Sequence, residues 1–206
     1  MDSLVLGLQK DVLDRSIHIT DLLRKALLVS RKLKIKDIES WLNSELNGYT
    51  DKEIPDYRVA YGELKAFNPC RGWIPVQVGD GWDKSILQQN IYLSVSQIEN
   101  LADKSEGGTF VIKFPANQAN IIMAVIGQRF EPALYVPVHQ LIKIIDATKT
   151  KILEFSLDLE EKDILGDGIV FSKDEQIKAQ TVNYNTINIH TMKNSTIQQD
   201  IDGIIE

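Results

Sequence analysis

Cysteine and long apolar runs are scarce in this 206-residue chain, whose single thiol is Cys70. One cysteine allows no disulfide within the chain, which indicates a reducing compartment. The longest uninterrupted apolar run, Ile121–Ile126, is far shorter than the ~20 residues of a membrane-spanning helix. The first residues, Met1–Leu4, lack the positive charge and the apolar stretch of a signal peptide. We therefore expect a cytoplasmic protein without a membrane span.

An excess of positive charge is also missing. The chain has 23 Lys and Arg against 29 Asp and Glu, a formal net charge of −6. This balance argues against a dedicated nucleic-acid-binding protein, whose binding domain is usually basic, although a local basic stripe stays compatible with it. The length suits one domain, or one domain with an appendage. With 43% hydrophobic and 25% charged residues, the composition is that of an ordinary globular protein.

Recognisable motifs for catalysis or metal binding are lacking as well. His18, His139 and His190 are far apart in the chain, and none has a second ligand at the spacing typical of zinc sites. Neither of the glycine-rich phosphate-binding patterns, GxxxxGK[ST] and GxGxxG, occurs. No residue pattern around Cys70 is typical of a nucleophile. The sequence therefore predicts no cofactor and no metal.

Helical periodicity dominates the first fifty residues and returns after Pro137. Apolar residues recur every three to four positions, which is typical of helices packed on one face. Asn47-Gly48 is typical of a helix C-terminus, and Thr20-Asp21 of an N-terminus. The predicted helices span Asp2 to about Ser16, Thr20–Leu33, Lys36–Asn47 and Val138–Leu159.

Between these helices the composition changes to one typical of short strands and turns. Residues 53–83 hold three of the six prolines and two of the three tryptophans, without a helical period. Short helices are predicted after Ser96, Pro115 and Ser172. The expected fold is α+β: a helical bundle with a small, mostly antiparallel sheet at one end and a C-terminal β-rich tail. The predicted strands are Tyr57–Tyr61, Trp73–Val78, Ile91–Val95, Phe110–Phe114 and Ala133–Val136.

The last residues, 181–206, differ from the rest of the chain. Ten of the nineteen residues 181–199 are Asn, Thr or Gln. A polar disordered tail is one interpretation. The other is a pair of short strands, Asn183–His190 and Ser195–Ile197, which would need copies from other chains to stack on. We therefore divide the chain into a domain, 1–180, and a candidate oligomerisation tail, 181–206. The apolar seam of the tail would be Val182, Tyr184, Ile187, Ile189 and Ile197.

A basic face is predicted on the second helix. Arg24, Lys25, Arg31 and Lys32 lie opposite its apolar arc, with Leu28 among them. A solvated surface explains this pattern, and so does a contact patch for an acidic protein or a phosphate backbone. A protein partner is favoured, because no aromatic residues alternate with the charges as base stacking would require.

Carboxylates offer an enzymatic alternative. Glu45, Asp56 and Glu63 lie near one another in the sequence, and such groups hold the divalent cations of nucleases. The spacing does not fix any two of them at a catalytic separation.

Several tryptophan, proline and glycine positions together resemble the AbiTii family. The resemblance covers about residues 1–180 and rests on these segments: Asp21–Leu27, Trp41–Tyr49, Ile54–Arg58, Gly62–Leu64 and Asn68–Pro75, with Gly166–Ile169 and Phe171-Ser172 near its end. The family takes its name from one component of a two-gene bacterial abortive-infection system against phage, so the resemblance implies phage defence. It supplies no catalytic residues. We expect its motif positions to be structural, with Trp41 and Trp73 directed inward: Trp41, Gly48, Tyr57, Arg58, Gly62, Asn68, Pro69, Gly72 and Trp73.

The leading hypothesis is an anti-phage, non-catalytic interaction module that self-assembles through its tail. A second defence-system protein or a phage trigger would be its partner. The alternatives are a toxic effector nuclease that uses the clustered carboxylates and a nucleic-acid-binding regulator that uses the basic helix face.

Overall fold

A computed structural model describes residues 3–50, 54–79, 84–105, 108–182 and 184. The fold is α+β, as expected, and it divides into two compact units. Unit 1 comprises residues 1–56, 92–96 and 145–206, and unit 2 comprises residues 57–91 and 97–144. Of the predicted tail, only Thr181, Val182 and Tyr184 are among the described residues.

The helices of the described residues follow the apolar periodicity closely. The third helix has the predicted bounds, whereas the second begins one residue early, with His18 at its N-cap. The helices are α1 Leu4–Leu13, α2 Ile19–Leu33, α3 Lys36–Asn47, α4 Val95–Lys104, α5 Ala116–Ile126, α6 Val138–Glu161 and α7 Lys173–Thr181. None of them is both long and apolar enough to cross a membrane.

Unit 1 is a bundle whose core comes from the inward faces of α1, α2, α3 and α7 and of the part of α6 from Ile145 onwards. Leu8, Leu22, Leu42 and Phe155 are fully buried, as the spacing predicts, and Trp41 lies inward at its edge. Leu13 continues the apolar spacing of α1 but is not part of this core, because the helix ends at this residue and its side chain faces water.

Gly48 ends α3 in a conformation that few other residues adopt. Its φ is +91° and its ψ is 164°. A Cβ atom there would lie 2.8 Å from the carbonyl oxygen of Tyr92. The same oxygen accepts a hydrogen bond of 2.8 Å from the Tyr49 N–H. Glycine is therefore needed both for the backbone angle and for the close approach.

A capping box at Ser172 begins α7, as predicted. The Glu175 carboxylate accepts backbone hydrogen bonds from Leu165, Gly166 and Ser172 and another from the Ser172 hydroxyl. Burial by itself would raise the pKa of Glu175, but these four donors outweigh it and lower the pKa. The carboxylate thus ties the loop after α6 to the start of α7.

The chain joins the core of unit 1 again after α7. Tyr184 is buried, its ring centre lies 5.7 Å from that of Phe155, and its hydroxyl donates to the Ala179 carbonyl at 3.1 Å. Val182 packs against the same core. Val182 and Tyr184 therefore take part in the fold of this unit, beyond the predicted boundary at Gln180.

The described residues of unit 2 form two sheets, and all their strand pairs are antiparallel. A two-stranded sheet pairs β1, Val59–Tyr61, with β4, Gln88–Asn90. A four-stranded sheet has the order β3-β2-β6-β5. Its strands are β2 Glu63–Asn68, β3 Gly72–Pro75, β5 Thr109–Lys113 and β6 Pro132–Pro137.

Three strand and cap predictions are wrong in detail. Ile91–Val95 is not a strand, because β4 ends at Asn90 and α4 begins at Val95. Ser96 consequently lies inside α4 and is not its N-cap. The predicted strand Tyr57–Tyr61 begins with a 3-10 turn, Asp56–Arg58, and only its last three residues pair.

A tight turn joins β2 to β3 at the predicted Asn68-Pro69. The Asn68 side-chain oxygen accepts hydrogen bonds from the backbone N–H groups of Cys70, at 2.8 Å, and Arg71, at 3.2 Å. Gly72 follows with a φ of +73°. The turn does not direct Trp73 inward, and that expectation is wrong. Trp73 is 36% exposed, because strand alternation turns the next residue, Ile74, to the other face of the sheet.

Candidate binding surfaces

The four-stranded sheet has one buried and one exposed face. Leu64, Ala66, Leu134 and Val136 are buried on the first. Since side chains alternate along a strand, their neighbours lie on the opposite face. That face, here called the aromatic face, consists of Phe67, Trp73, Tyr135 and Val111, and it extends across all four strands.

The aromatic rings of this face form a continuous row. The ring centres of Phe67 and Trp73 are 5.4 Å apart at 63°, and those of Trp73 and Tyr135 are 5.4 Å apart at 61°. Both are edge-on arrangements, which the ring quadrupoles favour. Val111 pairs with Tyr135 in the register of β5 and β6 and is exposed. Large apolar side chains therefore remain in contact with water across the sheet.

The lysines on the four strands are already engaged by groups of the same unit. Lys65 Nζ lies 4.6 Å from the centre of the Tyr135 ring and 3.2 Å from a carboxylate oxygen of Glu63. Lys113 Nζ lies 3.1 Å from Glu131. The sheet thus presents an aromatic row with nearly balanced charge, which is typical of the centre of a protein–protein contact.

Sequence reasoning missed this surface because it placed Trp73 in the core. The sequence of the β2–β3 hairpin nevertheless contains a pattern that indicates this surface. Phe67 and Lys65 on β2 alternate with Ala66 and Leu64, which predicts one apolar and one mixed face. The strand β2 itself was not predicted, so the alternation was not used.

The predicted basic face of α2 is exposed, but much of its charge is paired. Arg24 lies 3.3 Å from Asp21, and Arg31 lies 2.9 Å from Glu39. Lys25 Nζ lies 2.8 Å from Asp11 of α1. The remaining members are Lys32, which is half-buried, and Leu28, which is exposed. These ion pairs make the face less positive than the sequence pattern indicates.

The three candidate carboxylates occupy different surroundings. Glu45 is fully buried and accepts hydrogen bonds from the Tyr49 hydroxyl at 2.7 Å and the Thr148 hydroxyl at 3.3 Å. Asp56 is exposed in the 3-10 turn, and Glu63 is ion-paired with Lys65. Within the described ranges, no three His, Cys, Asp or Glu side chains are grouped so that they would hold a metal ion.

Burial shifts three pKa values around α6 in unit 1. Burial lowers the pKa of Lys151 against the opposing effects of Glu154 and Glu45. Burial raises the pKa of Asp158, and Glu154 and Glu161 raise it further. Burial, followed by the Asp158 charge, raises the pKa of Tyr184. Each shift follows from packing of the bundle.

Two family-motif positions of unit 2, Arg58 and Gly62, make close contacts within that unit. The buried Arg58 donates from Nη1 to the Ile91 carbonyl at 3.1 Å, and its own carbonyl accepts from the Ile91 N–H at 2.9 Å. A Cβ on Gly62 would lie 2.7 Å from Leu134, so only glycine allows this approach. Tyr57 lines a cleft of about 410 Å³ with Val59, Tyr61, Gln140 and Lys143.

Comparison with known proteins identifies one relationship. The sequence model of the AbiTii family matches residues 3–184. No curated protein and no solved structure matches the chain. The match includes the residues that form the aromatic face, the basic face of α2 and the Tyr184 contact.

Proposed function

Because this chain belongs to the AbiTii family, we propose that it acts in abortive-infection defence as a non-catalytic binding module in the bacterial cytoplasm. The family suggests the biological process, and the aromatic face supports the mode of action. We propose that this face docks an apolar segment of a partner protein, either a second defence protein or a phage component.

The chemistry of the aromatic face favours a protein over a nucleic acid. Single-stranded nucleic acids bind where a positive groove follows the backbone beside stacking rings. Here Lys65 and Lys113 are ion-paired with Glu63 and Glu131, so little positive charge is left for phosphates. Tyrosine and tryptophan are the residues that most often dominate protein–protein binding energy.

The first experiment removes the exposed rings and measures defence. Phe67→Ala and Trp73→Ala, expressed together with the neighbouring genes of the native locus, are expected to abolish protection in a phage plaquing assay. The matched control is Ile169→Ala in unit 1, where the side chain is 60% exposed. Thermal unfolding should show that all variants remain folded. Full protection by both aromatic variants would contradict the proposal.

A second experiment tests whether the protein is catalytic. The purified full chain is incubated with RNA and with DNA in the presence of Mg²⁺ and of Mn²⁺, and we expect both substrates to stay intact. Metal-dependent cleavage that Asp56→Asn or Glu63→Gln abolishes would favour the effector nuclease instead. These two side chains are exposed, so their substitution should not disturb the fold.

Self-assembly through the tail is part of the same proposal. Its remaining seam residues, Ile187, Ile189 and Ile197, lie outside the described residues. Val182 and Tyr184 would have to leave the core of unit 1 to join them, so we assign the seam to the three isoleucines. Ile187→Asp combined with Ile189→Asp should reduce the mass measured by light scattering while the domain stays folded. If the mass stays that of the wild-type oligomer, the tail isoleucines do not form the contact between copies.

The basic face of α2 is a second proposed contact, for an acidic protein surface. It is supported by the exposed Leu28 among the cations Arg24, Arg31 and Lys32. Arg24→Glu with Arg31→Glu should weaken partner binding and reduce its dependence on salt. If the protein instead binds nucleic acid in a salt-sensitive manner that this variant abolishes, the regulator alternative is correct.

A further inference from the structure

Three lysines lie close together where α2 ends and α3 begins. Lys32, Lys34 and Lys36 fall within five residues of the chain, and the last two are exposed. Unlike the other cations of α2, none of the three has an ion-pair partner within the described ranges. Asp37 follows and is exposed, which leaves three cations beside one carboxylate. The three residues, here called the lysine patch, therefore have positive charge available for a partner.

Helix α7 brings the start of the tail to the lysine patch. The Gln180 side-chain amide donates to the carbonyl of Leu33, at 2.7 Å, and to that of Lys34, at 3.3 Å. Ile177 is three residues earlier on α7, so it lies on the same side of the helix as Gln180, and it is 65% exposed. Since Tyr184 follows Gln180 by four residues, the chain stays within about 15 Å of this contact up to that point.

The last seven residues have chemistry that complements this surface. Residues 200–206 lie outside the described ranges and include no cation. They contain three isoleucines and three carboxylates, those of Asp200, Asp202 and Glu206. The carboxylates complement the three lysines, and the isoleucines complement the exposed Ile177. Asp200 is sixteen residues after Tyr184, a span of up to about 55 Å, whereas α2 is about 22 Å long. The segment can therefore reach any part of the lysine patch.

We propose that residues 200–206 bind the lysine patch and Ile177 of the same chain. A small contact is sufficient, because a ligand joined by a short linker is present at an effective concentration on the order of 1 mM. At physiological salt, charges more than about 8 Å apart are largely screened, so the nearby lysines outweigh the net charge of −6. The bound segment competes with an acidic partner for one end of the basic face of α2, a consequence that rests on the proposed function of that face.

The test is a competition between the tail and a free copy of its acidic segment. The probe is a fluorescein-labelled peptide of residues 200–206, and fluorescence anisotropy measures its binding to the full chain at low salt. A comparison chain carries Asp200→Asn, Asp202→Asn and Glu206→Gln, which neutralise its own segment. We expect the peptide to bind the wild type about tenfold more weakly than the comparison chain. This ratio corresponds to an effective concentration of about 1 mM and a dissociation constant of about 0.1 mM.

Charge reversal identifies the surface that the peptide binds. In the comparison chain, Lys34→Glu with Lys36→Glu should abolish peptide binding. The matched control is Lys10→Glu with Lys162→Glu, which reverses two exposed lysines elsewhere in unit 1 and should leave binding unchanged. Circular dichroism reports whether each variant is folded. If the first pair unfolds the protein, Lys32→Gln with Lys36→Gln replaces it.

Cross-linking shows whether the contact forms within one chain. A carbodiimide joins carboxylates directly to lysines, and denaturing electrophoresis then separates single wild-type chains from joined ones. Mass spectrometry of the single-chain band should show residues 200–206 joined to the lysine patch. This link in the joined band alone would mean that a second copy supplies the segment, and would overturn the proposal. Peptide binding that is absent, equal in both chains or unaffected by the lysine variants would overturn it too. No partner or phage is used, so failure of the proposed function leaves these results unchanged.

Discussion

Removing the Tyr184 ring should destabilise unit 1 strongly, although the residue lies at the start of the polar tail. The ring is buried against Phe155, and its hydroxyl donates to the Ala179 carbonyl. Truncation of a buried aromatic residue to alanine costs about 3–5 kcal/mol. Tyr184→Phe keeps the ring and loses only the hydrogen bond, which costs about 1 kcal/mol. For a typical domain, whose unfolding free energy is about 5–15 kcal/mol, the first loss is a large fraction of the total.

Urea denaturation followed by far-ultraviolet circular dichroism measures this difference. With a slope of about 2–3 kcal/mol per molar urea, Tyr184→Ala should lower the midpoint by about 1.5 M. The control is Tyr61→Ala, because Tyr61 is 52% exposed and its removal should change stability by no more than about 0.5 kcal/mol. Truncation after Gln180 should lower the urea midpoint about as much as Tyr184→Ala does, whereas truncation after Tyr184 should leave the midpoint unchanged. If Tyr184→Ala were as mild as the control, the residues after α7 would not belong to the core.

Three further substitutions test the account at separate sites. Gly48→Ala should cost at least about 1–3 kcal/mol, measured by urea denaturation, because of the positive φ and the close Tyr92 carbonyl. Glu175→Gln should make the folded protein less stable than the wild type at pH 7. Because the pKa of Glu175 is lowered in the folded state, this difference in stability should disappear as pH falls through that pKa. Asp158→Asn should stabilise at pH 7, because the folded pKa of Asp158 is raised, and this gain should shrink as pH falls through that raised pKa, where the wild-type carboxyl takes up its proton. Thermal unfolding at pH 3, 5 and 7 would contradict the two pH predictions if the differences stayed constant.

The helices were predictable because they are long and their apolar residues are periodic. α3 has the predicted bounds, and α6 begins at the predicted Val138. The strands were less predictable, since each is three to six residues long and tertiary pairing decides where it begins. The predicted strand at Ile91–Val95 shows this limit, because Ile91 and Val95 are buried without being in a strand.

The candidate sites were less predictable than the fold. Sequence spacing correctly indicated an exposed helix face at Arg24 and Arg31, but it did not show their pairing with Asp21 and Glu39. The aromatic face depends on strands from distant parts of the chain, so its row of rings exists only after β2, β3 and β6 have paired. The Tyr184 contact is hidden for the same reason, since Phe155 is far from it in sequence.

Site-specific photo-cross-linking from the aromatic face tests the central proposal most directly. A benzophenone amino acid replaces Phe67, and a second strain carries it in place of the exposed Ile169 in unit 1 as the control. During phage infection, irradiation should give one defined protein adduct from position 67. Nuclease treatment should not change that adduct, and adding Trp73→Ala should remove it. No adduct from position 67, a nuclease-sensitive adduct, or the same adduct from both positions would contradict a protein-docking role for this face.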